Sequence, residues 1–469
     1  MVSRNFTVHV AEPELVSPEK PIPHEFKYLS NIDDQLGLRN HFPIVHIYRL
    51  PRGGTSTDPA RLIRRALSHA LMYYYPLAGR LRHTENGKLV VECTGEGILF
   101  READADATIE QLRQIGTGFV PPFSQWDRLL VDDVYGSLLV TDSPLLRMQV
   151  TRFACGGFVL AYTVNHCACD AAGVLQFITA VAELARNPQL SNPSLIPVWS
   201  RELLIPRNPP CISFCHYEYE NPEPNKIHDL SDFHLQIQSS LFLPRATIST
   251  IKTLAKASAS FDAVAALLWR SRTRVIGLAD TDIARLLFAV DIRHLRGALP
   301  LPKGYYGAAI VSPSVSVPVQ DLCQKPLSYA ASKIAMTKYL ASQPEYRSSV
   351  IDYLEVCQGK VGLRGGKEAF AVSDHSKLRY ADVDFGWGRA MYGGPGRAGT
   401  GSEPGLVASV VSHRLENGEE GLLLIFTMAS EVLEAFHGEV WETVAAITEG
   451  KNGTVFMGNS SNTLVRSAL

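Results

Sequence analysis

Charge of one sign is what this chain lacks most plainly. Its 45 lysines and arginines against 47 aspartates and glutamates leave a net charge of −2. That field is too weak to draw nucleic acid or an anionic membrane surface, so neither is expected as a partner. Long apolar runs are missing as well: no stretch approaches the ~18 uncharged residues that a membrane-spanning helix needs. Met1–Val10 has no basic region followed by an apolar run, so a secretory leader is not expected. The glycosylation-type triplets starting at Asn5, Asn452 and Asn459 then carry no weight. Cysteine is scarce. Eight thiols in 469 residues (Cys93, Cys155, Cys167, Cys169, Cys211, Cys215, Cys323, Cys357) are too sparse to staple a fold. A reducing compartment and free thiols are expected. The chain closes on Ser467-Ala468-Leu469, behind Arg466. This is a weak relative of the Ser-Lys-Leu peroxisomal address, so the expected location is the cytoplasm, or the peroxisome through that tripeptide.

What is present is an ordinary globular composition, 46% hydrophobic and 20% charged, over a length that exceeds one growing core. Two domains are expected. Asp58-Pro59 opens a helix, since aspartate accepts from free amides and proline fits the first turn. Leu62, Ile63, Ala66, Leu67, Ala70 and Leu71 then recur at helical spacing. Val90–Leu99 and Leu145–Phe153 read as strands. Phe158–Val164 is a nearly unbroken apolar run, as expected of a strand covered on both faces. Val174, Leu175, Phe177, Ile178, Val181 and Leu184 mark a helix after it. Between Pro193 and Asn225 seven prolines fall and no period survives, which predicts a long extended connection. The division that follows is 1–192, a linker over 193–225, and 226–469. The second part resumes with a strand over Leu235–Leu243 and a helix opening at Ser260. Strands are expected near Leu286–Val290, Ala308–Val317, Leu406–Val411 and Gly421–Met428. Both halves are mixed α/β.

Two segments carry chemistry. Asn165-His166-Cys167-Ala168-Cys169-Asp170 lies between a buried strand and a helix, where a rigid scaffold presents a loop. A neutral imidazole there can take a proton from a hydroxyl near neutral pH. Asp170 is also well placed to cap the helix that follows. Val383-Asp384-Phe385-Gly386-Trp387-Gly388 is the second, with two glycines that let the backbone pack closely around an aromatic ring.

His166-x-x-x-Asp170 together with Asp384-Phe385-Gly386-Trp387-Gly388 resembles the signature pair of the plant BAHD acyltransferase family. Tyr75-Pro76-Leu77-Ala78-Gly79-Arg80-Leu81 resembles its early segment. Asp291-Ile292-Arg293 with Pro302-Lys303-Gly304-Tyr305-Tyr306-Gly307 resembles its central one. The landmarks follow in the family's order and span nearly the whole chain. The resemblance implies two similar-sized domains of the chloramphenicol-acetyltransferase type, joined by a long crossover loop, with an active-site channel between them. It implies an acyl-CoA:alcohol O-acyltransferase working through a ternary complex, with His166 as general base. Acyl-CoA is then a co-substrate, and no cofactor or metal is held permanently. Asp170 would face away from the substrate and pair with an arginine, for which Arg293 is the candidate; Asp384 and Trp387 would shape the channel. Lys252, Lys256 and Ser260, near the start of a second-domain helix, are the candidates for the phosphates of CoA. The oxyanion donor is not readable. Ala308 stands where the family usually has asparagine.

The opening Pro13–Pro21 through Leu29–Gln35, and Cys169-Asp170-Ala171-Ala172-Gly173, resemble the alcohol acyltransferase branch. A benzoyl-CoA:benzyl alcohol benzoyltransferase acting as a monomer is expected, ahead of an acetyl-CoA-dependent ester-forming enzyme. A non-catalytic acyl-CoA-binding module is the alternative of another class, and the intact His166 and Asp170 argue against it. Gly394-Pro395-Gly396-Arg397-Ala398-Gly399 spells a dinucleotide fingerprint but has neither the strand before nor the helix after. His166, Cys167 and Cys169 are too close along one loop to close a metal tetrahedron. A cysteine nucleophile served by His166 is the ping-pong alternative to direct attack.

Overall fold

A computed structural model describes residues 6–54, 57–112, 119–122, 126–131, 140–220, 236–294, 300–358, 361–363, 365–398, 407–449 and 467–468. Two large sheets organise them. The first runs Val8–Val10, Ile98–Ala105, Leu146–Phe153, Phe158–Asn165, His41–Tyr48 and Tyr392–Pro395, with Glu14–Val16 also paired to Ile98–Ala105. The second runs Ser314–Pro318, Ile283–Phe288, Ala369–Asp374, Val407–Arg414, Glu420–Ala429, Gln236–Pro244 and Ser467–Ala468. Both are mixed: Ile98–Ala105 lies parallel to Leu146–Phe153, and Ala369–Asp374 lies parallel to both its neighbours.

Every residue of Phe158–Asn165 is buried, which is why its apolar run does not alternate. Leu160, Tyr162 and Val164 face a core shared with the helices Pro59–Ala70 and Ala171–Arg186. Val159 and Ala161, on the other face, join Val411, Leu423 and Ile425 of the second sheet. Asp58 caps the first of these helices by accepting from the Ala60 N–H at 3.0 Å. The helices Arg245–Leu254, Ser260–Val275 and Ser430–Glu449 close the second sheet around Trp269, Phe426 and Phe436.

Several expected strands are divided. Val90–Leu99 is two strands, Leu89–Glu92 and Ile98–Ala105, in different sheets. Gly95 and Gly97, at φ +71° and +104°, turn the chain between them. Ala308–Val317 is likewise two, Ile310–Val311 and Ser314–Pro318, separated at Ser312-Pro313; proline cannot donate to a ladder. The expected Leu286–Val290 strand is Ile283–Phe288 followed by the short Val290–Asp291. Gly394-Pro395 ends a strand paired with Val45 and Ile44, so that glycine run does sit on a strand, as an edge of the first sheet. Residues 399–406 lie outside the described part.

Of the linker, 193–220 is described. It is irregular apart from a short turn at Arg201–Leu204 and the strand Tyr219–Glu220, which pairs with Gly362–Leu363. The helix Pro344–Val356 holds it. Among the described residues, no helix is long and apolar enough to cross a membrane.

Candidate active site

His166 follows the strand Phe158–Asn165 directly. Asn165 turns the chain, its side-chain oxygen accepting from the Cys167 N–H at 3.0 Å and its carbonyl from the Ala168 N–H at 2.9 Å. The His166 N–H donates to the Asn40 carbonyl at 2.8 Å, and its ring lies 4.5 Å from that of Phe42. Nδ1 is buried without a bonding partner, which leaves Nε2 to meet a substrate. Burial pulls the imidazole pKa below 6.5, with the Asp170 charge acting in the opposite sense. The ring is therefore neutral near pH 7, the state a base needs.

Asp170 caps the helix Ala171–Arg186 through the Gly173 N–H at 2.9 Å. The same carboxylate accepts two bonds from Arg293, at 2.8 and 2.7 Å, and one from the Ala309 N–H at 3.0 Å. Burial alone would raise its pKa; Arg293 and the amide donors outweigh burial and hold it below the usual value. All its lone pairs point at the protein, so it has none to spare for chemistry. Gly173 is required by space: a Cβ there would sit 1.9 Å from the Tyr306 carbonyl oxygen.

Asp384 closes its own turn, accepting from the N–H groups of Gly386 and Gly388 at 2.7 and 2.8 Å, while Arg186 donates to its carbonyl. Gly386 and Gly388 sit at φ +104° and +82°, a region other residues rarely adopt. Trp387 stands edge-on to Phe158 at 5.1 Å, and Tyr48 donates to the Val383 carbonyl at 2.8 Å. This glycine-rich segment is thus docked on the strands that lead to His166.

Lys252, Lys256 and Ser260 fall together at the connection between the helices Arg245–Leu254 and Ser260–Val275. Lys256 is exposed at φ +49°, and no side chain caps the second helix. The two helices pack in the second core. Cys167 and Cys169 are both fully buried, and burial pushes both thiols up in pKa, away from thiolate reactivity.

Sequence reasoning missed a second buried pair. Asp33 lies 3.0 Å from Arg201 and accepts from the Ala308 N–H at 2.8 Å. Arg201 donates to the Ala168 carbonyl at 2.9 Å, inside the His166 loop, and lies 4.0 Å from the Trp199 ring. The position where asparagine is usual thus contributes its backbone here. Asp33 falls in the opening segment that carries the branch resemblance, which was the one available signal. His375 and Tyr380, whose Nδ1 and hydroxyl lie 3.1 Å apart, were missed as well.

The model of the Transferase family matches residues 6–443. The chain is 39% identical to a benzyl alcohol O-benzoyltransferase of Petunia hybrida over 439 residues, 93% of either chain. It is 42% identical to a 13-hydroxylupanine O-tigloyltransferase of Lupinus albus over 446 residues, 93% of this chain and 94% of that one. Among solved structures, vinorine synthase superposes with a TM-score of 0.71 at 19% identity, covering 93% of this chain and 98% of its own. That likeness gives the fold: mixed α/β in two halves of similar size, joined by a long crossover. Together with the His166 and Asp384 segments, these matches establish that the chain belongs to the BAHD family of acyltransferases.

Proposed function

We propose that the protein is an acyl-CoA:alcohol O-acyltransferase, with benzoyl-CoA and benzyl alcohol as its substrates and benzyl benzoate as product. The observation that carries the reading is His166: a neutral imidazole with one nitrogen shut in and the other open, on a loop braced by two buried ion pairs. Nε2 removes the hydroxyl proton of an alcohol, and the oxygen attacks the thioester carbonyl. The tetrahedral intermediate collapses, and CoA leaves as its thiol with the proton from His166. Asp170, Arg293, Asp384 and Trp387 support the site without reacting. The buried thiols favour direct attack over an acyl-cysteine. Acyl-CoA is consumed as a co-substrate, and Lys252, Lys256 and the helix start at Ser260 receive its phosphates.

The chain works as a monomer divided into 1–192, 193–225 and 226–469. It resides in the cytoplasm, or in the peroxisome when the closing tripeptide is read. Ser467 and Ala468 pair with Gln238 and Ile237 at the edge of the second sheet. Two residue pairs are little to peel away for a receptor.

The relatives' names support benzoyl transfer. A flat apolar slot filled by a phenyl ring buries roughly 80 Å2 more than acetyl does, worth about 2 kcal/mol or some thirtyfold. Benzoyl-CoA should then exceed acetyl-CoA in kcat/KM by at least about tenfold with benzyl alcohol as acceptor. Acetyl-CoA equal to or better than benzoyl-CoA across several alcohols would move the reading to an acetyl-dependent ester-forming enzyme. Acyl-CoA binding without turnover on any alcohol would leave only a binding module.

A further inference from the structure

A second histidine lies near the first and takes no part in the proposed chemistry. The strand Ala369–Asp374 turns Phe370 and Val372 into the second core, and alternation places Ala371 and Ser373 on its opposite face. His375 follows. Its Nε2 is 2.8 Å from the Ser373 hydroxyl and its Nδ1 is 3.1 Å from the Tyr380 hydroxyl. The Tyr380 ring packs 6.3 Å from His46, which shares a strand face with Phe42, the residue against His166. Against a larger lowering by burial, the Asp170 charge acts on His375 and raises its pKa, and a proton on His166 would lower it further. Ser373, His375 and His166 each keep part of their surface accessible, while Tyr380 is buried.

Counting hydrogens gives this chain a direction. Burial holds the His375 pKa down at about 4, so at neutral pH its ring carries one N–H and one lone pair. The two hydroxyls add two O–H groups. Three hydrogens serve two bonds, so one O–H, on Ser373 or on Tyr380, is left over. Neither hydroxyl has another partner among the described residues. A spare donor inside a buried site is costly when nothing accepts from it. It discriminates strongly in favour of a ligand that does.

Resting on the acyltransferase reading above, we infer that Ser373–His375–Tyr380 is a specificity device of the acceptor pocket, whose remaining hydroxyl hydrogen binds a second hydroxyl on the alcohol being acylated. Within the benzyl alcohol class proposed above, the acceptor taken best is then one that carries a second hydroxyl, with unsubstituted benzyl alcohol turned over more slowly. His166 acts on one hydroxyl while the chain holds the other.

The test compares the three hydroxybenzyl alcohols with the three methylbenzyl alcohols, matched in volume, using benzoyl-CoA as donor. The wild type should favour one hydroxy isomer over its methyl counterpart by about tenfold in kcat/KM. Of Tyr380→Phe and Ser373→Ala, the one that removes the hydroxyl carrying the spare hydrogen should bring that ratio to within about twofold of unity. Because both alcohols meet the same preparation, a loss of folded protein cancels from the ratio. A ratio near unity for all three isomers in the wild type would overturn the inference while leaving acyl transfer standing. So would a preference that survives in both hydroxyl variants. Acylation of no alcohol in the panel by any donor would overturn both readings.

Discussion

A histidine at a strand end becomes a base only if its proton-accepting nitrogen is free and its ring stays neutral. His166 meets both conditions, with burial pulling its pKa below 6.5. The acid limb of the kcat/KM profile should therefore fall below pH 6.5, with activity flat from there to mildly alkaline pH. His166→Ala should lower turnover by roughly two to four orders of magnitude and leave the melting temperature within a few degrees, since the ring contributes little packing beyond Phe42. A folding defect with full activity per folded molecule would refute its role as base. Asp170 behaves oppositely. Asp170→Asn keeps the helix-capping oxygen but strips the charge that pairs with Arg293, and breaking such a buried pair costs about 3–5 kcal/mol. Soluble yield and melting temperature should fall along with activity. A fully stable but inactive Asp170→Asn protein would show that the carboxylate takes part in the chemistry. His166 and Asp170 were legible because their motif sits at the end of an apolar run, and Asp384 because it opens a short glycine-rich motif around a tryptophan. Asp33, Arg201 and His375 were not: a lone charged or aromatic residue without a spaced partner says nothing until the fold supplies its neighbour.

Elements show where patterning fails. The run Val90–Leu99 reads as one strand because glycines at positive φ do not interrupt hydrophobicity, only direction. The linker was legible as a lack of period, but what holds it was not. The helix Pro344–Val356 presents Glu345, Ser349 and Asp352 along one face. Asp352 accepts from the N–H groups of Arg207 and Cys211 at 2.7 and 2.8 Å, and from the Arg207 guanidinium at 2.6 Å. Ser349 accepts from Ser213 and Phe214 and bonds to His216, itself 3.0 Å from Glu218. Asp352→Ala would leave those two amides and part of the guanidinium without acceptors, at a cost of about 2–4 kcal/mol. Urea unfolding at pH 7 should read that loss. Burial alone would raise the Asp352 pKa, but these donors hold it below 3.8 in the folded state. Its stabilisation is thus complete above about pH 4 and fades as the pH falls through the folded value. Wild type and variant should converge in acid; a difference that persists there would mean the carboxylate is not the clamp.

The whole molecule is more interlocked than a boundary drawn at a proline-rich linker implies. Tyr392–Pro395 crosses from the later half to pair with Ile44–Ile47 at the edge of the first sheet. Ile292, Tyr306, Ile351 and Trp387, all beyond residue 226, are buried in the core that holds Leu160 and Tyr162. A further core joins Val45, Ile47 and Ala161 to Val411, Leu423 and Ile425 of the second sheet. Two ion pairs cross in the same sense, Asp33 with Arg201 of the linker and Asp170 with Arg293. None of this leaves a pattern in the sequence, since a residue buried against another half looks like one buried against its own. The consequence is thermodynamic. Unfolding either half exposes apolar surface of the other, at about 25 cal/mol per Å2, so neither is stable once its partner is lost. Denaturant unfolding followed by tryptophan fluorescence and by far-ultraviolet circular dichroism should give one coincident transition, as two-state behaviour requires. A fragment of residues 1–192, missing the Tyr392–Pro395 edge and the later half's side chains in its core, should fail to show cooperative unfolding. Two resolved transitions, or a fragment that melts cooperatively, would mean that each half holds its own fold and that the site between them can open without loss of either.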